Sequence, residues 1–323
     1  MNTQLLQTIL NQEFVMKKDY LHIADLCPIE IQDLLDLAID LKKEYFNGGN
    51  PPVLKDKALA MIFQKPSLRT RVSFEMAMQH LGGHAMYLSP AEIGLGNRES
   101  IADVARVLSG FVQGIMARVY DHKHIVELAK WANVPVINGL TDYNHPCQAL
   151  ADALTIQERI GKAKGLNVTY IGDGNNVAVS LMHICVKLGW NFTISNPVGY
   201  EIDPSAIEIA KSILSETGAK ISFYNNPHDA VRDADVIYTD TWTSMGQEEE
   251  TAIREVAFAE YQVNHQLINE AKKDTIVMHC LPAHRNHELT DEVADGSQSV
   301  IFPQAHNRLH AQKAILVRLL GVA

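Results

Sequence analysis

The sequence has few cysteines and no long apolar run, and these absences exclude several classes of protein. Its four cysteines, Cys27, Cys147, Cys185 and Cys280, have no CxxC spacing, so neither a disulfide framework nor a structural zinc site is expected. No stretch approaches the ~20 consecutive apolar residues of a membrane span. The N-terminal residues lack the basic start and apolar core of a signal peptide. We therefore expect a soluble, cytoplasmic protein with no membrane partner.

Basic residues are also in the minority. Lysine and arginine total 28 against 38 aspartates and glutamates, which gives a net charge of −10. This balance argues against a general nucleic-acid binder, because such proteins neutralise phosphates with a basic face. It does not exclude a local basic pocket for a small anion. The hydrophobic share of 46% and the charged share of 20% are those of a globular protein and not of a disordered, collagen-like or coiled-coil chain.

Strand and helix patterns alternate along the chain, which indicates parallel sheets with helices on both faces. The predicted strands span residues 58–63, 84–88, 114–119, 134–138, 168–171, 192–195, 221–224, 236–239 and 275–279. The predicted helices span residues 29–46, 72–81, 101–108, 124–131, 147–160, 177–188, 205–214 and about 308–320. At ~150 residues per domain, the length indicates two domains. We predict an α/β fold of two doubly wound domains, residues 1–160 and 161–323, each a mostly parallel sheet flanked by helices. The C-terminal helix is expected to pack back on the first domain.

Ligands bind at the carboxyl ends of parallel strands, so the residues that follow each strand are candidate site residues. The sequence SLRTR at 67–71 follows the strand 58–63 and enters a helix. Hydroxyl, guanidinium and free backbone N–H groups at a helix start form an anion site that favours phosphate. A solvated basic turn is the alternative, but Arg69 and Arg71 would then oppose the helix dipole with nothing to compensate for them. The pattern therefore favours a bound anion.

Further candidate side chains follow later strands or precede the last helix. Arg118 ends an otherwise apolar strand, where arginine is rarely buried without a partner, and a structural ion pair is the alternative. His145 precedes a proline that holds it extended, so its imidazole can donate to a carbonyl oxygen, while Gln148 can bond an amide. A surface or structural histidine is the alternative. Cys280 follows a strand and is either a site residue or a small buried hydrophobe. Arg308, just before the predicted last helix, offers another guanidinium group.

The turn GDGNN at 172–176 has only part of a dinucleotide-binding pattern. The third glycine of GxGxxG is absent, since Val177 stands there, and the next strand ends without an acidic residue for a ribose. NAD binding is therefore disfavoured. The asparagines could instead bind the carboxylate and amine of a small ligand, with ordinary turn chemistry as the alternative. After the strand 236–239, Asp240 is placed to bind an amine. We expect one cleft that binds a phosphate-bearing carbonyl compound on one side and an amine on the other.

Four motifs occur in order: SLRTR at 67–71, HPCQ at 145–148, DTWTSMG at 240–246 and HCLP at 279–282. Together they resemble the aspartate/ornithine carbamoyltransferase superfamily, and most closely the ornithine carbamoyltransferases, from about residue 18 to the C-terminus. The resemblance implies transfer of the carbamoyl group of carbamoyl phosphate to the δ-amine of L-ornithine, giving L-citrulline and phosphate in arginine metabolism. It also implies no metal or organic cofactor, and a homotrimer or a higher assembly of trimers.

The resemblance further implies a role for individual residues. Those implied to bind carbamoyl phosphate are Ser67, Leu68, Arg69, Thr70, Arg118, His145, Gln148, Cys280, Leu281 and Arg308. Those implied to bind ornithine are Asn176, Asp240, Ser244 and Met245. Cys280, His145 and Arg118 are implied to be catalytic. The donors would stabilise the carbonyl oxygen as it gains negative charge, and Cys280 would position the amine and not act as a covalent nucleophile.

Two other interpretations stay open. A carbamoyltransferase for another amine, such as putrescine or N-acetylornithine, would share the phosphate half of the cleft. The Ser-Met-Gly sequence after the strand 236–239 favours ornithine over putrescine, and no proline-rich insertion typical of the N-acetylornithine enzymes is found. A non-catalytic relative that binds carbamoyl phosphate would be expected to lack His145, Cys280 or Arg118, and all three are present. Gly94 stands where relatives often have a residue that reaches a neighbour's site, so the contact between subunits is left unassigned.

Overall fold

The computed structural model of the chain describes residues 18–244 and 246–321. Within them, nine strands form two sheets in which every pairing is parallel. The first sheet has the order β2-β1-β3-β4. Its strands are β1 (Ala58–Phe63), β2 (His84–Leu88), β3 (Gly114–Arg118) and β4 (Val136–Leu140). The second sheet has the order β7-β6-β5-β8-β9. Its strands are β5 (Asn167–Ile171), β6 (Asn191–Ser195), β7 (Ile221–Tyr224), β8 (Val236–Thr239) and β9 (Ile276–His279).

Helices connect the strands, as parallel pairing requires. Those before and within the first sheet are α1 (Pro28–Phe46), α2 (Leu68–His80), α3 (Pro90–Ile93), α4 (Ile101–Ser109) and α5 (His122–Trp131). Helix α6 (Pro146–Arg159) leads to the second sheet. The later helices are α7 (Asn176–Leu188), α8 (Pro204–Thr217), α9 (Pro227–Val231), α10 (Thr251–Phe258), α11 (His265–Asn269), α12 (Asp291–Ala294) and α13 (Ile301–Leu320). The predicted class, two doubly wound α/β units with parallel sheets flanked by helices, is confirmed.

The strand register brings the candidate site residues to two facing edges. Phe63 at the end of β1 pairs with Arg118 at the end of β3. In the second sheet, Thr239 at the end of β8 pairs with Ile171 on one side and His279 on the other. Since these carboxyl ends are level with one another, the loops that follow them are neighbours in space.

The C-terminal helix α13 packs against α1, α2 and α6, so the predicted return to the first domain is confirmed. Its predicted start at about residue 308 is wrong, because α13 begins at Ile301. Pro303 lies in the first turn, where a helix does not use the missing N–H group, and so it does not delay the start. Arg308 therefore lies within the helix and is buried, and does not precede it.

Most other elements agree with the predicted ones to within a few residues. Helix α2 begins at Leu68 and not at residue 72, because Ser67 caps it. Strand β4 is shifted by two residues toward the C-terminus, next to an irregularity in its pairing with β3. Helices α3, α9, α10, α11 and α12 were not predicted. All of these except the eight-residue α10 have only four or five residues, which is too few to show a helical period. The described part of the chain has no helix with both the length and the apolar character of a membrane span.

Helix α6 connects the two halves of the molecule. All of its residues from 146 to 157 are buried, and it packs against α1, α7 and α13. A helix buried on every side is usually apolar throughout, yet α6 carries Gln148, Asp152 and Thr155. Buried polar groups of this kind need hydrogen-bond partners, and Gln148 and Asp152 bond to each other and to residues of α13 and β8.

Candidate active site

A cleft of about 760 Å³ lies between the carboxyl ends of the two sheets. Twelve of the residues predicted for the site line it: Ser67, Leu68, Arg69, Arg118, His145, Gln148, Asn176, Asp240, Ser244, Cys280, Leu281 and Arg308. Thr70 lies directly behind this surface and bonds to two of the lining arginines. Met245 lies outside the described residues. The first wall of the cleft consists of residues 67–70, Arg118, His145, Gln148 and Arg308. The second wall consists of Asn175, Asn176, Asp240, Ser244 and Cys280.

The first wall is organised around the buried hydroxyl of Thr70, one turn into α2. Ser67 caps the helix, and its hydroxyl accepts from the Thr70 backbone N–H at 3.4 Å and donates to the Thr70 hydroxyl at 3.2 Å. Arg308 from α13 donates to the same Thr70 oxygen at 2.9 Å, and Arg118 from the end of β3 does so at 3.5 Å. Two guanidinium groups from distant parts of the chain therefore meet at the N-terminus of one helix.

The charges of this wall are not balanced within it. Burial, then the neighbouring charges of Arg308 and Arg69, lower the pKa of Arg118 to about 10. Burial also lowers the pKa of Arg308 and that of Arg69. Among the described residues, the buried Nε of Arg308 has no hydrogen-bond partner. Three arginines that repel one another at a helix N-terminus form a site for an anion with more than one negative charge.

Arg71 does not belong to this cluster, although the sequence grouped it with Arg69. Its Nε donates to Glu75 at 2.9 Å, and its guanidinium lies over the ring of Tyr87, 4.3 Å from the centroid. It does not line the cleft. The reason is helical geometry, since two positions along a helix separate Arg71 from Arg69 by about 200°.

His145 and Gln148 present their side chains from the N-terminus of α6. His145 precedes the first helical residue, Pro146, and its backbone N–H donates to Ser180 at 2.7 Å. Burial, then the charges of Arg308, Arg118 and Arg69, hold the pKa of His145 well below its usual range, so the imidazole is neutral. Its buried Nδ1 has no hydrogen-bond partner in the described chain. Gln148 accepts from Arg308 through Oε1 at 3.2 Å.

The second wall centres on the carboxylate of Asp240. Cys280 donates from Sγ to one carboxylate oxygen at 3.0 Å, and Asn175 donates from Nδ2 to the other at 3.0 Å. Burial, then the neighbouring charge of Asp240, raises the pKa of Cys280 well above its usual range. A thiol held in its protonated form is a poor nucleophile, which agrees with the expectation of no covalent role.

Asn175 was not among the residues assigned from the sequence, although its neighbour Asn176 was. Asn175 caps α7 through Oδ1 and directs Nδ2 to Asp240 and, at 3.4 Å, to Ser244. Asn176 lines the cleft and donates to the backbone oxygen of Thr141 at 2.6 Å. The sequence left open whether these asparagines bind a ligand or only shape the turn. Asn175 shapes the turn by capping α7, and it also forms part of the second wall.

Asp240, His279 and Cys280 bring possible metal-ligating atoms within 4.8 Å of one another. This grouping could not be predicted from the sequence, because Asp240 lies far along the chain from His279 and Cys280. Both ring nitrogens of His279 are already engaged, since Nδ1 accepts from the Leu281 N–H at 2.8 Å and Nε2 lies 3.1 Å from Glu288. A metal ion here would have to displace one of these contacts.

Two ion pairs at the cleft were not expected from the sequence. Lys65, after β1, pairs at 2.6 Å with Glu248, which follows the segment containing Ser244. Arg254 on α10 is buried and pairs at 2.8 Å with Asp173 in the turn before α7. Arg254 also donates at 3.0 Å to the backbone oxygen of Trp242. In the sequence these residues read as ordinary surface charges, and only the fold brings them together.

Comparison with known proteins agrees with this geometry. A model described as the carbamoyl-P binding domain of aspartate/ornithine carbamoyltransferase matches residues 18–158, and one described as its Asp/Orn binding domain matches residues 164–319. A protein of Anoxybacillus flavithermus named ornithine carbamoyltransferase is 54% identical over 94% of this chain and 96% of its own length. One of Pyrococcus furiosus, named as the anabolic enzyme, is 53% identical over the same shares of the two chains.

Solved structures give the same result. The ornithine carbamoyltransferase of Pyrococcus furiosus superposes with a TM-score of 0.92 at 53% identity, over 94% of this chain and 97% of that one. The enzyme of Thermus thermophilus superposes with a TM-score of 0.85 at 43% identity, over 95% of this chain and 100% of that one. Matches at this identity extend over both sheets and both walls of the cleft. The chain therefore belongs to the aspartate/ornithine carbamoyltransferase family.

Proposed function

We propose that this chain transfers the carbamoyl group of carbamoyl phosphate to the δ-amine of L-ornithine and releases L-citrulline and phosphate. The observation that carries the proposal is the cleft itself, in which three arginines at a helix N-terminus face the carboxylate of Asp240. Relatives that match nearly the whole chain are named ornithine carbamoyltransferase, which does not favour another amine or a non-catalytic role. A relative named anabolic supports a place in arginine biosynthesis.

The first wall binds carbamoyl phosphate in this proposal. The N–H groups at the start of α2 and the hydroxyls of Ser67 and Thr70 hold the phosphate, together with Arg69, Arg118 and Arg308. The backbone N–H of Leu68 serves here, because its side chain is 74% exposed and apolar. A phosphate dianion relieves the repulsion among the guanidinium groups, which supports this assignment. We assign residues 1–160 as the domain that carries this wall, apart from Arg308 on the returning helix α13, and residues 161–323 as the ornithine domain.

Catalysis requires the carbonyl oxygen to be stabilised as the amine attacks it. We assign this role to Arg118 and to the neutral imidazole of His145, with Thr70 and Arg69 beside them. Donors placed before the reaction act most strongly in a site that excludes water, and removal of one typically costs ~10²–10³ in rate. Gln148 binds the amide end of the carbamoyl group. Leu281 and Cys280 close the site from the second wall.

The second wall holds ornithine, with Asp240 and Cys280 at the amine and Asn176 and Ser244 at the amino-acid end. Met245 is assigned to ornithine binding from the motif alone. The attacking amine must be neutral, whereas an alkylamine such as lysine has a pKa of ~10.4. The low pKa of His145 makes its imidazole a weak base, and the raised pKa of Cys280 keeps its thiol protonated. We therefore assign the proton that the nitrogen releases as the new C–N bond forms to the phosphate that leaves as the C–O bond breaks.

We also propose that the chain acts in the cytoplasm as a homotrimer or a higher assembly of trimers, with no metal, cofactor or nucleic acid. The support is the resemblance of the motifs to the family, together with apolar side chains on the first domain that a second subunit would cover. Phe111 and Val107 are 73% and 51% exposed. Analytical ultracentrifugation of the purified protein checks the assembly, and a monomer at micromolar concentration would overturn it.

The test of the activity is product formation from carbamoyl phosphate with four amines in parallel: L-ornithine, putrescine, L-aspartate and N-acetyl-L-ornithine. We expect citrulline from ornithine at a far higher rate than any other product. Turnover of another amine alone would agree with the assignment of the first wall to carbamoyl phosphate, but it would overturn the assignment of Asp240 to ornithine. Binding of carbamoyl phosphate with no product from any amine would show a non-catalytic protein.

A further inference from the structure

Asp152 is a buried carboxylate that the proposed function does not use. It lies on α6, one turn after Gln148, and is 0% exposed. Its Oδ1 accepts from Gln148 Nε2 and from Gln304 Nε2, both at 2.8 Å, and its Oδ2 accepts from the hydroxyl of Tyr238 at 3.1 Å. These donors come from α6, α13 and β8. A single carboxylate at the junction of both halves of the molecule is therefore bonded by three neutral groups.

The bond from Gln148 has a consequence for the cleft. Burial raises the pKa of Asp152 to about 7, but Oδ1 accepts from both glutamine NH₂ groups, so a proton on this carboxyl group belongs on Oδ2, which faces the Tyr238 hydroxyl. In either protonation state the Gln148 amide therefore turns its NH₂ group toward Asp152. Its oxygen then lies on the opposite side, where Arg308 donates to it at 3.2 Å. Gln148 and Arg308 both line the cleft, and we take the oxygen beside Arg308 as the group that Gln148 presents there. Arg308 favours the same orientation, because a guanidinium group can only donate, so Asp152 and Arg308 hold the amide from opposite sides and the loss of Asp152 leaves Arg308 alone to orient it.

We propose that Asp152 is a positioning residue that fixes the Gln148 amide with its oxygen toward the substrate, and that the enzyme thereby selects acyl phosphates carrying an NH₂ group on the carbonyl carbon. This inference rests on the proposed function, in which Gln148 meets the carbamoyl end. The NH₂ of carbamoyl phosphate can donate to the Gln148 oxygen, whereas the methyl group of acetyl phosphate cannot. Both compounds share the phosphate and carbonyl groups that the arginines and His145 bind.

The readout is the ratio of two affinities. The inhibition constant of acetyl phosphate competing with carbamoyl phosphate is divided by the dissociation constant of carbamoyl phosphate from equilibrium binding. Asp152→Leu has a side chain of similar size and removes the acceptor. We expect the ratio to fall by roughly 10–100-fold through weaker binding of carbamoyl phosphate, because a site that loses a hydrogen bond to a buried amide loses discrimination of this order. The affinity for acetyl phosphate should change little.

Two variants separate positioning from a general structural effect. Asp152→Asn keeps an oxygen that can accept from both glutamines, so we expect it to restore the wild-type ratio. Tyr238→Phe removes one bond to Asp152 on the oxygen that does not face Gln148, and we expect the ratio to stay unchanged even if the melting temperature falls. Asp152→Ala is a second variant without the acceptor. It removes the carboxylate as Asp152→Leu does, but it places no large apolar side chain among the polar groups.

Two results would overturn the inference. One is an unchanged ratio in folded Asp152→Leu or Asp152→Ala. The other is a fall of the same size in Tyr238→Phe, which would show a loss of structure and not of orientation. Failure of the proposed function looks different, because the wild-type protein would then bind no carbamoyl phosphate or form no citrulline.

Discussion

The two walls of the cleft differ in how firmly the fold holds their side chains. In the first wall, Thr70, His145 and Arg308 are buried and belong to α2, the start of α6 and α13, and α13 packs against the other two helices. In the second wall, Ser244 is only half-buried, and the segment beyond it leads to the exposed Glu248. The first wall therefore has its donors in place before any ligand binds, as anion stabilisation in catalysis requires. The second wall combines a fixed carboxylate, Asp240, with a loop segment at its rim.

The largest expected effect tests the fixed character of the first wall. Arg118→Ala removes a guanidinium that meets both the phosphate and the carbonyl oxygen in the proposed site, and we expect kcat to fall by ~10²–10³. Carbamoyl phosphate should also bind more weakly. Steady-state kinetics and equilibrium binding measure the two effects.

Arg71→Ala is the matched control for Arg118. Arg71 lies on the same helix as the anion site but pairs with Glu75 outside the cleft, so we expect kcat within about twofold of wild type, as for most surface substitutions. If the two alanine variants lost activity to the same extent, the distinction between clustered and surface arginines would fail.

The second expected effect tests the second wall. Asp240→Asn removes the negative charge that binds the amine of ornithine. Because a hydrogen bond to a charged group contributes more to binding than a neutral one does, we expect KM for ornithine to rise roughly 10–100-fold. Binding of carbamoyl phosphate should stay within about twofold of wild type if the walls act independently. Glu249→Gln, an exposed acid beyond the same loop, should leave both values unchanged. A comparable loss of carbamoyl phosphate affinity in Asp240→Asn would mean that the walls are not separate.

The same difference explains what could be predicted from the sequence. The residues after β1, β3, β4, β8 and β9 were found because carboxyl ends of parallel strands share one edge of a sheet, and nearly all of them line the cleft. Arg71 was grouped wrongly because adjacency in a motif does not place two helical side chains on one face.

Residues that act through other side chains were not found. Asp152 has the pattern of any polar residue in a helix, and its partners Tyr238 and Gln304 are more than 80 residues away along the chain. Arg254 and Asp173 are similarly separated. Nothing in local periodicity indicates such pairings, because they depend on how the two sheets and α13 pack. The residues at the strand ends could be predicted, because sheet topology alone brings them together. The contacts that support them could not, because they depend on tertiary packing.

A third test compares two buried histidines, His145 in the cleft and His183 outside it. The pKa of His145 is held well below its usual range, and burial lowers the pKa of His183 on α7 to about 4. Both would titrate near ~6.5 in the unfolded chain. Because the folded values lie below the unfolded one, the stability that these neutral histidines confer is complete above pH ~6.5 and is lost as the pH falls toward the folded values.

Bound phosphate should separate the two histidines. The dianion opposes the positive field of Arg308, Arg118 and Arg69, so we expect the pKa of His145 to rise when inorganic phosphate is added. His183 bonds to the Ala206 carbonyl at 2.9 Å, away from the cleft, and its pKa should stay the same. Titration of the imidazole signals by NMR, with and without phosphate, measures both values. Equal movement of the two signals would contradict the placement of the anion beside His145.

The smallest expected effect concerns an ion pair that joins the rims of the two walls. Lys65 and Glu248 pair at 2.6 Å, but both side chains are partly or largely exposed to solvent. Exposed ion pairs contribute little, so Lys65→Met or Glu248→Gln should raise KM for ornithine by less than about fivefold, and the effect should vanish at high salt. The charge-reversed double variant, Lys65→Glu with Glu248→Lys, should recover most of the loss if pairing across the cleft is the cause. A loss that persists at high salt, or that the reversal does not repair, would mean that Lys65 acts on the bound phosphate and belongs to the first wall.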